Sequence, residues 1–162
     1  MYQSLVNDGR FTPNFVGSNT VLDNSPNAGY NVLSGANELN HEGHSGYTTT
    51  NVMSNLSSGA GWLASGNGVN PDYVTLSIGG NDYGASSSET SGPLNRTDAI
   101  VTSIQSLRPG AQVILSNLFY RTQTVNGVVV GDLQNTYYNP YVQGVVFNHV
   151  LAGQHVSFND AY

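Results

Sequence analysis

The sequence predicts an α/β fold in which a parallel sheet is flanked by helices. Short runs of β-branched and aromatic residues alternate with longer amphipathic stretches, which is the order of strand–helix–strand units. Gly, Pro and Asn stand at the junctions between these stretches, as expected for turns and helix ends. The 162 residues are the size of one ordinary domain. We therefore expect a single domain over residues 1–162.

The strand at residues 73–78 is the clearest element of the first half. It reads Tyr-Val-Thr-Leu-Ser-Ile and is followed at once by Gly79 and Gly80. The elements expected before it are a short helix over 2–9, a strand over 11–17, a long polar segment over 18–45 and a glycine-broken helix over 48–63. A structureless segment as long as 18–45 usually carries function, so we expect it to be a binding loop.

Two helices and two strands are expected in the second half. Asn95 is expected to cap a helix with Asp98 at its fourth position, and Asn139 is expected to cap a helix that opens with Pro140. The apolar positions that define their buried faces are Ile100, Val101, Ile104 and Leu107, and then Val142, Val145, Val146 and Val150. Strands are expected at 112–115 and 155–158, and a two-residue hairpin turn at 126–127.

Charge and composition exclude several classes of function. The chain has 4 basic and 10 acidic residues and a net charge of −6, and a surface so poor in cations cannot track nucleic-acid phosphates or an anionic membrane. No apolar run approaches the roughly 20 residues that a transmembrane helix needs. Because there is no cysteine, disulfides, thiolate zinc sites and cysteine nucleophiles are excluded. The lysine-free composition, rich in Asn, Ser, Thr and Gly, favours a secreted protein, although the first residues lack the pattern of a signal peptide.

Residues 41–49 form the first candidate site. They read His-Glu-Gly-His-Ser-Gly-Tyr-Thr-Thr, so two imidazoles and a carboxylate lie close together in the sequence. The i, i+4 spacing that places two histidines on one helix face is missing, so a metal site is the less favoured alternative and no metal is expected. A nucleophilic turn around Ser45 would need glycine in place of Tyr47, so Ser45 is not expected to be a nucleophile.

Residues 79–82 form the second candidate site. They read Gly-Gly-Asn-Asp and follow the carboxyl end of the strand at 73–78, where open α/β sheets bind their ligands. The Asn81 amide can donate to a developing oxyanion, and Asp82 can hold the turn by accepting backbone hydrogen bonds. Spacing alone favours an ordinary Gly-Asn-Asp turn. A calcium β-roll would need tandem glycine-rich copies, and only one imperfect copy is present.

Four blocks in a fixed order carry a resemblance to a known family. Residues 15–18 read Phe-Val-Gly-Ser, the blocks at 41–48 and 71–82 follow, and residues 108–116 read Arg-Pro-Gly-Ala-Gln-Val-Ile-Leu-Ser. Together they resemble the SGNH (GDSL-type) hydrolase family, most closely its secreted carbohydrate-esterase branch, which includes acetylxylan esterases. The resemblance covers nearly the whole chain. It implies a three-layer α/β/α, flavodoxin-like fold with a parallel sheet, and ester hydrolysis without a cofactor.

The resemblance also implies roles for single residues. The family builds its oxyanion hole from a glycine N–H and an asparagine side chain, and Gly46 and Asn81 match these two positions. Asp82 matches a position that supports the loop. The residues expected to contact the substrate, an ester such as an acylated polysaccharide, are His44, Tyr47 and Tyr83.

Two blocks of the family do not occur in the sequence. They are the Gly-Asp-Ser block, which carries the nucleophile, and the Asp-x-x-His segment, which carries the base. Asp160 matches an acidic position upstream of that segment and is not assigned to the triad. We therefore expect residues 1–162 to be an incomplete domain that lacks the first central strand and the C-terminal helix. Without nucleophile and base, such a chain alone is expected to be nearly inactive.

Two other interpretations remain open. A non-catalytic carbohydrate-binding relative would use aromatic rings as stacking platforms, for which the candidates are Tyr30, Tyr47, Trp62 and Tyr83. The chain could also fold only within a larger assembly. His149 and His155 have no aspartate three residues before them, so they are expected on a helix surface and at the start of a strand.

Overall fold

The computed structural model describes residues 14, 16–17, 41–57, 61–64, 69–85 and 90–161. The chain has two compact units, residues 1–45 and residues 46–162. The helix expected over 2–9, residues 11–13 and 15 of the expected strand and the segment 18–40 lie outside the described residues, and Asn14, Val16 and Gly17 lie in no strand.

The second unit contains all the helices and strands described. In chain order they are α1 (Thr49–Ser57), β1 (Tyr73–Leu76), α2 (Gly80–Ala85), α3 (Gly92–Leu107), β2 (Gln112–Ser116), β3 (Thr124–Val125), β4 (Val128–Val129), α4 (Val130–Tyr137), α5 (Asn139–Leu151) and β5 (Val156–Asn159). Among these helices, none combines the length and the apolar character needed to cross a bilayer.

The parallel sheet has the strand order β1-β2-β5. Both neighbouring pairs are parallel, with Leu76 opposite Leu115 and Leu115 opposite Phe158. Parallel neighbours require crossover connections, which α3 makes between β1 and β2. The predicted α/β fold with a parallel sheet and flanking helices is therefore confirmed. The strands start or end within two residues of the predicted bounds.

The hairpin between β3 and β4 is also confirmed. Its two turn residues, Asn126 and Gly127, have φ values of 50° and 81°. Both are positive, as a two-residue hairpin turn that matches the twist of its strands requires.

Two helices have boundaries that differ from those predicted from the sequence. The expected cap at Asn95 is wrong, because α3 begins three residues earlier with Pro93 in its first turn, and the Asn95 N–H already donates to Ser91 O at 3.0 Å. Proline is favoured at this position because its φ suits a helix and it has no N–H to leave unpaired. The helix expected over 48–63 ends at Ser57. α2 and α4 were not expected from the sequence.

The core lies where the sheet meets α3 and α5. Its buried apolar side chains include Ile100, Val101, Ile104, Val113, Leu115, Val142, Val145, Val146 and Val156. Leu107 and Val150, which were expected on the buried faces, are exposed near the ends of their helices. His149 was expected on a helix surface and is instead buried, with Nε2 3.0 Å from Asp98 Oδ1. His149 therefore joins α5 to α3 rather than facing solvent.

Candidate functional site

The turn after β1 has a backbone that only glycine adopts easily. Gly79 has φ +113°, and a Cβ on it would lie 3.0 Å from the ring of Tyr138. α2 begins at the next residue, so the Gly-Asn-Asp segment is the first turn of a helix and not an open loop. The carboxyl end of β1 and the start of α2 together present Asn81 at the edge of the sheet where ligands bind in this fold class.

The side chain of Asn81 is held from two sides. Its Nδ2 donates to the carbonyl oxygen of Tyr47 at 3.0 Å. Its Oδ1 lies 3.4 Å from Nη1 of Arg121, which also donates to Gly80 O at 3.1 Å. These contacts define which end of the amide is nitrogen. Since an amide nitrogen carries two N–H groups, Asn81 keeps one donor that Tyr47 does not use.

Gly46 lies next to the residue that Asn81 binds. It has φ +80°, and a Cβ on it would meet nothing within 4 Å. Its N–H has no acceptor among the residues that the structure describes. The hydrogen bond from Asn81 to Tyr47 therefore joins α2 to the segment that carries a second available backbone donor.

Asp82 is buried in a network of three elements. It accepts hydrogen bonds from Thr49 N at 2.9 Å and Thr49 Oγ1 at 2.6 Å, both at the start of α1. Arg96 of α3 donates to the same carboxylate through Nη2 at 2.9 Å and to Thr49 Oγ1 through Nε at 2.7 Å. A carboxylate at a helix N-terminus satisfies N–H groups that have no partner within the helix. Asp82 thus holds α1 and α3 against the first turn of α2.

A pocket of about 200 Å³ opens beside this turn. Its lining residues are Tyr47, Ser77, Ile78, Gly79, Gly80, Asn81, Leu118, Phe119, Arg121 and Gln134. Asn81 and Tyr47 line it, and Gly46 does not. Two aromatic rings, one cation and two side-chain amides therefore surround a single small cavity.

The three residues expected to contact substrate differ in their surroundings. Tyr47 lines the pocket and stacks on Trp62, with ring centroids 6.3 Å apart and an interplanar angle of 16°. Tyr83 is fully buried and its hydroxyl donates to Thr90 O at 2.9 Å, so the prediction that it contacts substrate or stacks on a sugar is wrong. His44 belongs to the unit of residues 1–45, where its Nε2 lies 3.0 Å from Glu42 Oε2.

Two contacts of the histidine-rich block lie within the block itself. Besides the contact of His44 with Glu42, the Nδ1 of His41 accepts a hydrogen bond from Gly43 N at 3.0 Å. Within the described ranges, no three His, Cys, Asp or Glu side chains lie close enough to hold a metal ion.

Sequence reasoning missed Arg121 and Gln134. The one signal for Arg121 was the scarcity of cations, since it is one of only 4 basic residues in the chain. Gln134 gave no signal, because its helix was not predicted and a glutamine in a polar segment looks exposed.

The GDSL-like Lipase/Acylhydrolase family matches residues 16–153. The chain belongs to this family. No curated protein is significantly similar to it.

Three solved structures are similar to this GDSL-like chain. A Clostridium thermocellum family 3 carbohydrate esterase is 26% identical with a TM-score of 0.66, and the match covers 98% of this chain and 64% of that one. A carbohydrate esterase family 3 from Talaromyces cellulolyticus is 19% identical with a TM-score of 0.69, covering 98% and 69%. An acetyl esterase mutant with acetate ion is 18% identical with a TM-score of 0.67, covering 98% and 69%. The last two show the fold alone.

The GDSL-like chain spans only part of the proteins it resembles. It corresponds to 64% of the clostridial esterase. The resemblance to the SGNH hydrolases and their carbohydrate-esterase branch is confirmed.

Proposed function

We propose that this protein hydrolyses acyl esters of carbohydrates and that residues 1–162 supply its oxyanion hole. The observation that carries the proposal is the Asn81 amide. It lines the pocket, its orientation is set by Tyr47 and Arg121, and one of its N–H groups has no acceptor in the part of the chain that the structure describes. Membership of an acylhydrolase family supports the reaction, and the similarity to a clostridial carbohydrate esterase supports the substrate class.

The chemistry follows from where charge develops. Attack on an ester carbonyl converts its oxygen into an oxyanion, and donors already aimed at that oxygen stabilise the transition state more than the substrate. The Asn81 Nδ2–H and the Gly46 N–H would supply two such donors. Arg121 would add positive charge near the Asn81 carbonyl and polarise the amide. Asp82 would not contact the substrate, and would act by fixing the turn through its hydrogen bonds with Thr49 and Arg96.

The nucleophile and the base would come from outside residues 1–162. The sequence has no Gly-Asp-Ser block and no Asp-x-x-His segment. We propose that both are encoded in the same reading frame, upstream and downstream, and complete the triad around this pocket. The chain as printed would then keep only binding and oxyanion stabilisation, a small part of the full rate.

The direct test uses the product of the complete reading frame. It should release acetate from p-nitrophenyl acetate and from acetylated xylan, and replacement of the serine of its Gly-Asp-Ser block by alanine should abolish both reactions. Failure of a well-folded protein to hydrolyse either ester, or a reading frame bounded by stop codons, would contradict the proposal.

A non-catalytic carbohydrate-binding protein is the second candidate. The stacked pair of Tyr47 and Trp62, with Tyr47 on the pocket, favours it, because aromatic faces are typical sugar platforms. Binding of xylan that is lost in Tyr47→Ala but retained in Asn81→Ala, without ester hydrolysis, would favour this function over the first.

A further inference from the structure

One buried side chain in the pocket wall has no hydrogen-bond partner among the described residues. Gln134 of α4 is 0% exposed, and neither its Oε1 nor its Nε2 is paired with any residue that the structure describes. Buried amides are nearly always paired, because an unmade hydrogen bond costs the full desolvation of the group. An unpaired buried amide beside a cavity therefore calls for an explanation.

Gln105 shows what a purely structural glutamine looks like in the same protein. It is also buried, at 5% exposure. Its Nε2 donates to Ala111 O at 2.8 Å, and its Oε1 accepts from the N–H of His155 at 3.1 Å. Both ends of that amide are satisfied within the fold. Gln134 differs because both ends of its amide lack the hydrogen-bond partners that a ligand could supply.

Gln134 lies in the wall of the pocket that the candidate oxyanion donor also lines. Gln134 lines the pocket together with Gly80 and Asn81. A Cβ on Gly80 would lie 3.7 Å from Gln134 Nε2, so a side chain at this pocket position would contact the amide.

The chemistry of the pocket defines the group that can satisfy this amide. The amide offers a donor and an acceptor together, which match two neighbouring hydroxyl groups or one hydroxyl that donates and accepts. A carboxylate cannot donate to Oε1. Arg121, which would attract an anion, already donates to Gly80 O and Gln123 Oε1. Two aromatic residues, Tyr47 and Phe119, line the same pocket and suit the apolar face of a sugar ring.

We propose that the Gln134 amide binds hydroxyl groups on the alcohol side of the substrate, and so determines specificity for sugar esters over simple esters. This inference rests on the proposed function and deepens it. It separates the pocket into an acyl-oxygen side at Asn81 and a hydroxyl-binding side at Gln134.

The test compares Gln134→Met with Gln105→Met in the product of the complete reading frame. Methionine keeps the unbranched shape and removes both hydrogen-bonding atoms. The specificity ratio is kcat/KM for a partially acetylated xylo-oligosaccharide divided by kcat/KM for p-nitrophenyl acetate, which has no hydroxyl. For Gln134→Met we expect this ratio to fall about tenfold, the effect of one hydrogen bond worth about 1.4 kcal/mol. We also expect its urea midpoint to stay the same or rise, because no folded-state hydrogen bond is lost. For Gln105→Met we expect the midpoint to fall.

Two outcomes would overturn the inference. A midpoint that falls in Gln134→Met as it does in Gln105→Met would show that the amide is paired within the complete protein. An unchanged specificity ratio would show that the substrate does not use it. If the wild type hydrolyses neither ester, the proposed function fails. Calorimetry of xylo-oligosaccharide binding then tests the role of Gln134 by itself. Equal affinity in the wild type and in Gln134→Met would overturn that role.

A second pair of variants tests the same contact without changing the amide. Gly80→Ala would place a methyl group at an ordinary contact distance of 3.7 Å from Gln134 Nε2, on a residue that lines the pocket. Gly84→Ala is the matched control, because its Cβ would approach Arg121 Nη1 at 3.6 Å on a residue that does not line the pocket. The specificity ratio should fall in Gly80→Ala more than in Gly84→Ala, and equal ratios would contradict the inference.

Discussion

Replacing Asp82 by alanine should destabilise the fold more than any other single carboxylate change in the described residues. The substitution removes the acceptor for Thr49 N, for Thr49 Oγ1 and for Arg96 Nη2. The Asp82 side chain is only 2% exposed, so water does not replace these contacts readily on the carboxylate side. The N-terminus of α1 and the guanidinium of Arg96 would both lose their buried anion.

The magnitude follows from the burial of the two partners. Breaking a buried ion pair by removing one partner costs about 3–5 kcal/mol. Because 28% of the Arg96 side chain is exposed, water recovers part of this, and we expect a loss of about 3 kcal/mol in the free energy of unfolding. For a domain of this size that corresponds to a fall in Tm of roughly 6–12 °C. Asp82→Asn keeps one oxygen acceptor and should lose less.

Urea denaturation followed by circular dichroism measures this directly, since a lower midpoint at unchanged slope reports a loss of stability alone. Asp132→Ala is the matched control. Asp132 is exposed and accepts a hydrogen bond from the Tyr120 hydroxyl, so we expect a change within about 0.5 kcal/mol. An Asp82→Ala protein as stable as Asp132→Ala would refute the assignment of Asp82 as the residue that ties α1, α2 and α3 together.

Three further predictions concern stability and the position of Asn81. Burial raises the pKa of Tyr138 to about 12, above its usual 10. Between these two pH values the folded state keeps a proton that the unfolded state releases. The free energy of unfolding should therefore be unaffected by this group below about pH 10 and should fall by roughly 3 kcal/mol as the pH rises to about 12. Urea titrations across that range should show less of this loss in Tyr138→Phe, and identical curves would contradict it. Gly79→Ala should destabilise the fold by about 1–3 kcal/mol because Gly79 has a φ of +113°. Gly144→Ala, in α5 with open space around its Cβ, should instead stabilise the fold by roughly 0.5–1 kcal/mol. Thermal melts in which both variants shift Tm in the same direction would argue against strain at Gly79. Arg121→Gln should lower kcat for p-nitrophenyl acetate more than it raises KM, since Arg121 acts on Asn81 and Gly80 rather than on the ester; a change in KM alone would contradict this.

The strands were predictable because their signals are local. The run at 73–78 combines β-branched and aromatic residues with two glycines at its end, and the structure places β1 there. The hairpin at 126–127 is specified by an Asn-Gly pair that tolerates positive φ. In both cases a few neighbouring residues determine the backbone.

The missed features depend on contacts that lie far apart in the sequence. Tyr83 was expected to contact substrate, whereas the helix that starts at Gly80 directs both Asp82 and Tyr83 into the interior. Asp82 meets Thr49 across 33 positions, and no local pattern reports that pairing. The short helix α4, which carries Gln134, has too few apolar positions to show a helical period.

The central claim is that Asn81 supplies an oxyanion donor, and one measurement tests it most directly. In the product of the complete reading frame, kcat for p-nitrophenyl acetate should fall by about 10²–10³ in Asn81→Ala with little change in KM, because the donor acts on the transition state. Asn95→Ala, an exposed asparagine on α3, should leave kcat unchanged. A fall of less than about tenfold in Asn81→Ala, or an equal fall in both variants, would contradict the account.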